Sequence, residues 1–213
     1  MFFYIGMLLW FIAGNMFSNS ISDTKDTPAV SVIIAIRNGE DALSHLLANL
    51  SSQDYTGEME FILVDDESED STRELILEQS MINKRFIYET SENGNSILRH
   101  KKRALDAGIQ KAKHEWLLFT DVDCRLHSGW VRGMAAYFTN NVDFVIGFSE
   151  VESGDKLVTR FQSMDYFMLM MAARATTNIG LVWASSGQNQ AFKKSLFQKV
   201  GGYSKIAQEL QGY

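Results

Sequence analysis

The chain has 213 residues, of which 46% are hydrophobic and 22% charged, a balance that permits a packed core and excludes a disordered chain. Its formal net charge is −6 and no dense Lys/Arg stripe runs through it, which argues against nucleic acid as a partner. The single cysteine, Cys124, excludes an internal disulfide and a cysteine-built zinc site, and fits a reducing compartment.

Residues 1–17 carry no charge and are mostly large and apolar. A bilayer span takes roughly 20 residues, with about 17 as the lower limit, so this segment stands at the short edge of a transmembrane helix. No Lys or Arg precedes Lys25, and Ala13-Gly14-Asn15 is a poor cleavage signal, so a signal peptide fits less well, as does a buried core helix. The expectation is an N-terminal apolar helix over 1–17 that anchors the protein in an inner or plasma membrane, then a polar linker over 18–28. Lys25 leans the rest of the chain, 29–213, toward the cytoplasmic side.

Val30 to Ile36 is rich in β-branched residues and reads as a buried strand. Helical spacing follows at 41–50, a second strand at 60–64, a helix at 71–81 with Asp70 or Ser71 as N-cap, and a short strand at 85–89. A helix over 97–112, a strand over 115–120, a helix over 129–138 and a strand over 142–148 complete the regular part. Nearly all-apolar strands that alternate with helices predict an α/β fold, a mostly parallel sheet covered on both faces. The stretch 157–174 is long and Met-rich, a pattern expected of core filling, with a surface against a membrane or acceptor chain as the alternative. The chain stops at Gln211-Gly212-Tyr213 with no helix stop or closing strand, which reads as an interior point of a longer domain.

Polar groups collect where the strands end. Strand one runs into Arg37-Asn38-Gly39-Glu40, strand two into Asp65-Asp66, and the fourth into Thr120-Asp121-Val122-Asp123. In an open α/β sheet, that edge is where ligands bind. Two carboxylates two residues apart repel each other unless a cation lies between them, and hard oxygen donors suit Mg2+ or Mn2+ carrying substrate phosphates. A solvated acidic loop is the alternative. Neither Gly-x-Gly-x-x-Gly nor the Walker pattern occurs, so phosphates would be met by metal on the Asp pair and by Arg37, Lys101 or Lys102. His45, His100, His114 and His127 show no metal-ligand spacing, and Cys124 has no identifiable base to activate it.

Five blocks then point to one family. Val30 to Glu40 resembles the opening strand and Arg-Asn-Glu turn of the family-2 glycosyltransferases of GT-A fold. Ser52-Gln53-Asp54-Tyr55, followed by Phe61 to Thr72, resembles their Val-Asp-Asp-Gly-Ser-x-Asp-x-Thr block. Lys101 to Ile109 resembles Gly-Lys-x-x-Ala-Leu-Asn-x-Gly, and Phe119 to Cys124 resembles the metal-binding Asp-x-Asp. Gly187 to Phe192 and Gly201-Gly202-Tyr203 resemble the acceptor-side elements.

The resemblance implies an inverting, metal-dependent transfer from a nucleotide-sugar, with a UDP-sugar as the expected donor, to a glycan or lipid-linked acceptor. It assigns donor contacts to Ala35, Arg37, Glu40, Asp65, Asp66, Lys101, Asp121 and Val122, and Mn2+ or Mg2+ to Asp121 and Asp123. Gly187, Asn189 and Trp183 fall on the acceptor side. The family's general base follows the Gly-Gly-Phe element. Here Glu209 is the only stand-in before the chain stops, and the base is expected in sequence beyond Tyr213. Two departures stand out: Ala35 replaces a frequent Pro, and Glu67 replaces the usual Gly after Asp66. A non-catalytic nucleotide-sugar or glycan-binding module of the same fold is the rival reading. A nucleotidyltransferase would need a longer basic loop after strand one, and a membrane scaffold more apolar segments.

Overall fold

Apolar β-branched runs too short for helices become strands, and runs with apolar residues three and four apart become the helices that cover them. The computed structural model describes residues 2–16, 27–152, 154–181, 184–204 and 207. The elements are α1 (Phe2–Met16), β1 (Val30–Ile36), α2 (Glu40–Ser51), β2 (Met59–Asp65), α3 (Thr72–Ile82), β3 (Phe86–Thr90) and a 3-10 turn at Ser91–Asn93. They continue with α4 (His100–Lys111), β4 (Trp116–Phe119), α5 (Trp130–Ala135), β5 (Phe144–Ile146), α6 (Leu157–Asn178), β6 (Gln190–Lys193) and α7 (Lys194–Lys199).

The chain divides into two compact units, one of residues 22–145 and 190–213, the other of 1–21 and 146–189. The first carries the sheet, six strands in the order β3-β2-β1-β4-β6-β5. β1 pairs in parallel with both β2 and β4, and β2 with β3, whereas β6 runs antiparallel to β4. Alternate residues of each strand face opposite sides. Val30, Val32, Ile34 and Ile36 join Leu43, Leu46 and Leu50 of α2, Ile76 of α3 and Val131 and Met134 of α5 in one core. Ile33, Ile62, Val64, Leu117 and Phe119 pack on Ala104, Ala107 and Ile109 of α4 on the other face. Phe61 and Phe86 (ring centroids 4.8 Å apart) and the Trp116–Phe138 stack (3.9 Å) fill the first core with aromatic area.

Several boundaries differ from the sequence expectation for local reasons. The helix expected from Ile97 begins at His100. Asn95 closes a turn first, its Oδ1 accepting the Ile97 N–H (3.0 Å) and its carbonyl the Leu98 N–H (2.9 Å). The helix expected to reach residue 138 ends at Ala135, where Tyr137 and Phe138 donate to Met134 and Ala135 in tighter three-residue turns. The strand expected over 142–148 keeps only Phe144–Ile146, because the Gly147 N–H turns to the Asn189 carbonyl (2.8 Å). β6 and α7 were not anticipated: at four and six residues they are too short for a periodic signal.

In the second unit α1 lies against α6. Asn15 donates to the Met171 carbonyl (3.3 Å) and Asn178 to that of Gly14 (2.9 Å). A side chain at Gly14 would land on the Ala175 backbone, so glycine sets this approach. Of the methionines expected to fill a core, Met170 is buried, while Met164 and Met168 are exposed. At 15 residues α1 is about 22 Å long. No helix among the described residues is long and apolar enough to cross a membrane.

Candidate active site

The register of β1 fixes the site. Ile36 pairs with Asp65 of β2, and Ile33 with Phe119 of β4, so three neighbouring parallel strands end at one edge of the sheet. Arg37 to Glu40, Asp65 to Thr72 and Thr120 to Cys124 leave the sheet there. Gly39 is where two of these tips meet: a Cβ would come 2.7 Å from Ile36 Cγ2 and 3.1 Å from Val122 Cγ2, so only glycine admits the approach.

The β1–α2 and β2–α3 turns are bound to each other through side chains and backbone amides. The Asn38 N–H donates to Ser68 Oγ (3.0 Å), and the Glu69 N–H to Asn38 Oδ1 (2.8 Å). Gly39 N–H donates to Thr72 Oγ1 (2.8 Å), Glu40 N–H to Asp70 Oδ2 (3.1 Å), and Ser71 N–H to Glu40 Oε2 (2.9 Å). Asp70 also accepts from the Thr72 N–H (3.0 Å), so one carboxylate serves the amino ends of both α2 and α3. Burial pushes the Asp70 carboxyl upward, but hydrogen bonds from Thr72 and Glu40 outweigh it and hold the group below its ordinary 3.8.

Three non-glycine residues sit in the left-handed region beside this edge: Asn38 (φ 50°), Glu67 (57°) and His100 (55°). Such residues cost on the order of 1–3 kcal/mol each and gather at functional sites. Glu67 adopts the conformation a glycine would take there without strain, so the turn after Asp66 keeps its course despite the departure in sequence.

The expected donor residues fall as follows. Ala35 is half-buried in β1 opposite Val64. Arg37 and Glu40 are exposed. Asp65 and Asp66, at 6% and 5% exposure, are the buried acids of the edge; Asp65 Oδ1 accepts the Ser68 N–H (3.2 Å) and the Asp66 N–H donates to Ile36 (2.8 Å). Lys101 Nζ lies 2.5 Å from Asp121 Oδ1. Val122 packs on the core by Gly39. Asp123 is exposed and has no hydrogen bond or ion pair among the described residues.

The described residues contain no group of three His, Cys, Asp or Glu side chains placed to hold a metal ion. Two carboxylates on one turn, closed by the Cys124 N–H to the Asp121 carbonyl (3.2 Å), therefore supply a partial set of hard oxygens. That donor set fits an ion such as Mg2+ or Mn2+, held by one or two carboxylates with substrate phosphates and water. Burial pushes the Cys124 thiol up. His114 Nε2 lies 3.9 Å from Glu58, and His45, His100 and His127 are exposed.

The loop after the Asp pair is held by Asn49 of α2 and by Gln53 just beyond that helix, a support the sequence reading missed. Leu126 N–H donates to Asn49 Oδ1 (3.0 Å), Gln53 Nε2 to the His127 carbonyl (2.9 Å), and Val131 N–H to Gln53 Oε1 (3.0 Å). The available signal was the amide pair Asn49 and Gln53, one in the last turn of α2 and the other just past its end. In the other unit, Asn189 is buried and donates to the Phe148 carbonyl (3.0 Å), Gly187 is exposed, and Gln188 donates to Tyr166 Oη (2.8 Å). Trp183 and Glu209 lie outside the described residues.

Comparison with known proteins gives one family. Residues 31–201 match the sequence model of Glycosyl transferase family 2. The poly-beta-1,6-N-acetyl-D-glucosamine synthase of Staphylococcus epidermidis is 24% identical over 216 residues, which cover 94% of this chain and 51% of the synthase. The Staphylococcus aureus (strain MSSA476) synthase is 25% identical over 182 residues, covering 84% and 43%. The chain thus spans about half the length of these curated relatives. The mannosyltransferase PcManGT from Pyrobaculum calidifontis, in complex with GDP-Man and Mn2+, has TM-score 0.68 at 19% identity, covering 92% of this chain and 54% of its own. Mycobacterium tuberculosis glucosyl-3-phosphoglycerate synthase with UDP has TM-score 0.54 at 17% identity, covering 80% and 58%. These structures share the fold of the sheet-bearing chain, and the match over 31–201 makes this chain a member of glycosyl transferase family 2.

Proposed function

We propose that the chain is the donor-binding part of an inverting glycosyltransferase that takes a nucleotide-sugar, a UDP-sugar first, and passes the sugar to a glycan or lipid-linked acceptor. The observation that carries this reading is the convergence of Asp65-Asp66, Asp121-Val122-Asp123 and the Arg37–Glu40 turn at one edge of three adjacent parallel strands. Asp66, buried at the tip of β2, accepts hydrogen bonds from the nucleotide base, with Asp65 and Glu40 holding the surrounding turns. Lys101 supplies a cation for the diphosphate. Asp121 and Asp123 hold Mn2+ or Mg2+. A divalent ion bound there stabilises negative charge developing on the departing nucleoside diphosphate. Val122 keeps the Asp turn seated on the core.

Gly187, Asn189 and Trp183 serve the acceptor. Inversion requires a base beside the attacking hydroxyl, and Glu209 is the candidate within this chain. The uncharged residues 1–17 associate with a membrane, with the catalytic part on the cytoplasmic side. Likeness to the staphylococcal synthases supports a surface polysaccharide as the product class.

A thermal-shift titration with UDP-, GDP- and dTDP-sugars, each with and without Mn2+, tests the reading. A ligand at 100 Kd stabilises the native state by about 2.7 kcal/mol. At roughly 2–4 °C per kcal/mol for a domain this size, the melting point rises by about 5–10 °C. Asp123→Ala abolishes the Mn2+-dependent part of the shift; an unchanged shift in that variant overturns the metal assignment.

A further inference from the structure

The Asp121 carboxylate already has a cation on it. Lys101 Nζ lies 2.5 Å from Oδ1, with the two side chains 32% and 28% exposed. Lys101 stands in the first turn of α4, which has no acidic residue and begins His100-Lys101-Lys102-Arg103. The positive end of a helix dipole disfavours cations, so Asp121 is what makes this position tolerable for an ammonium. Asp123 has no such partner among the described residues. The two acids of the turn are therefore unequal: one is neutralised by the protein, the other is not.

We propose that Lys101 and a divalent cation compete for Asp121, so that the ion is taken up tightly only together with a diphosphate that draws Lys101 away. This rests on the donor-site reading above and adds its regulation. A cation at Asp121 would meet the ammonium within a few ångströms, and the repulsion is relieved only if the amine moves to other anionic oxygens. A diphosphate offers them. Metal and diphosphate then bind with positive coupling, and linkage makes the effect reciprocal. A cation next to a carboxylate changes its affinity for a proton by roughly ten- to a thousand-fold. Removal of the ammonium shifts affinity for a metal at the same oxygen in the same direction.

The experiment measures Mn2+ binding to the full chain by the electron paramagnetic resonance signal of free Mn2+, without nucleotide. UDP binding is measured separately by calorimetry, with and without Mn2+. Lys101→Met binds Mn2+ alone at least about tenfold more tightly than wild type, in line with the effect of a neighbouring cation. Lys101→Arg, which keeps the charge, stays close to wild type. Asp121→Asn loses the tight Mn2+ binding gained by Lys101→Met when the two changes are combined. Lys101→Gln repeats the Met test with a polar side chain, and melting curves confirm that each variant folds. Equal Mn2+ affinity in wild type, Lys101→Met and Lys101→Gln, with Mn2+-dependent UDP binding by the wild type, overturns the competition and leaves the donor site standing. Absence of UDP binding with and without Mn2+ overturns the donor site itself.

Discussion

Glu67 tests whether the turn after Asp66 is under conformational strain. Its φ of 57° is in the left-handed region, where a Cβ costs an L-residue roughly 1–2 kcal/mol. Replacement by glycine relieves that strain but also removes the Glu67–Arg103 ion pair. At 3.9 Å, with Glu67 60% exposed, the pair contributes about 0–1 kcal/mol. Glu67→Ala removes the same pair while it retains the Cβ, so the comparison of the two variants isolates the backbone effect. At an ordinary loop position glycine is no better than alanine, because it loses more freedom on folding. Here the order reverses, and Glu67→Gly exceeds Glu67→Ala by about 1 kcal/mol. The expected difference in melting temperature is roughly 2–4 °C. Urea titration followed by circular dichroism gives the same comparison as a shift in midpoint at constant slope. Alanine equal to or more stable than glycine would refute the strain argument. The turn also carries the Ser68 N–H to Asp65 and the Asn38–Ser68 contact, so UDP affinity should survive in the glycine variant.

Two groups give opposite pH limbs. Asp70 has a folded pKa below its ordinary 3.8, so its stabilisation is present above that value and lost as pH falls through the folded one; Asp70→Asn flattens the acid limb of an unfolding series below about pH 4. Tyr55 donates to the Pro28 carbonyl (2.6 Å), and burial raises its phenol from 10.0 to about 12. Its stabilisation is present below pH 10 and lost as pH rises to about 12, so Tyr55→Phe shows a shallower alkaline limb in chemical denaturation. Two helical glycines should respond with opposite signs to alanine. At Gly108 a Cβ would come 2.5 Å from Ile33 Cγ2 and 3.0 Å from Val64 Cγ2, so overpacking of about 1–3 kcal/mol exceeds the roughly 1 kcal/mol gained in helix propensity. At Gly133 a Cβ would meet nothing within 4 Å outside its own helix backbone, and Gly133→Ala raises the urea midpoint by the propensity gain alone. A common sign for the two variants would contradict the packing of α4 on the sheet.

The sheet was legible because β1, β2 and β4 are nearly all apolar, as strands covered on both faces must be. The strand-end acids were legible for the same reason, since polarity begins where burial stops. β6 was not legible. Gln190-Ala191-Phe192-Lys193 shows two apolar residues between two polar ones, and only its antiparallel pairing with Trp116 to Phe119 makes it a strand. The bonds between the β1–α2 and β2–α3 turns were hidden for another reason. They join side chains to amides about 30 residues apart, a relation with no period in sequence. Asn49 and Gln53 escaped notice in the same way, because their partners lie some 75 residues onward in the loop after Asp123.

That hidden layer changes how the acid-rich run Asp65 to Asp70 is understood. Read as free charge, it would repel the diphosphate of any nucleotide-sugar brought to this edge. Most of it is not free. Asp65 accepts the Ser68 amide, Glu40 the Ser71 amide, and Asp70 those of Glu40 and Thr72. The amides that Glu40 and Asp70 meet stand at helix amino ends and carry partial positive charge, so these two acids are balanced by the backbone they organise. Asp121 is balanced by Lys101. Asp123 alone among the strand-tip acids named here has neither a hydrogen bond nor an ion pair among the described residues. On the donor-site reading proposed above, an anionic donor would meet an edge whose negative charge is largely spent on its own architecture, and the Asp pair is where a cation would bring it in.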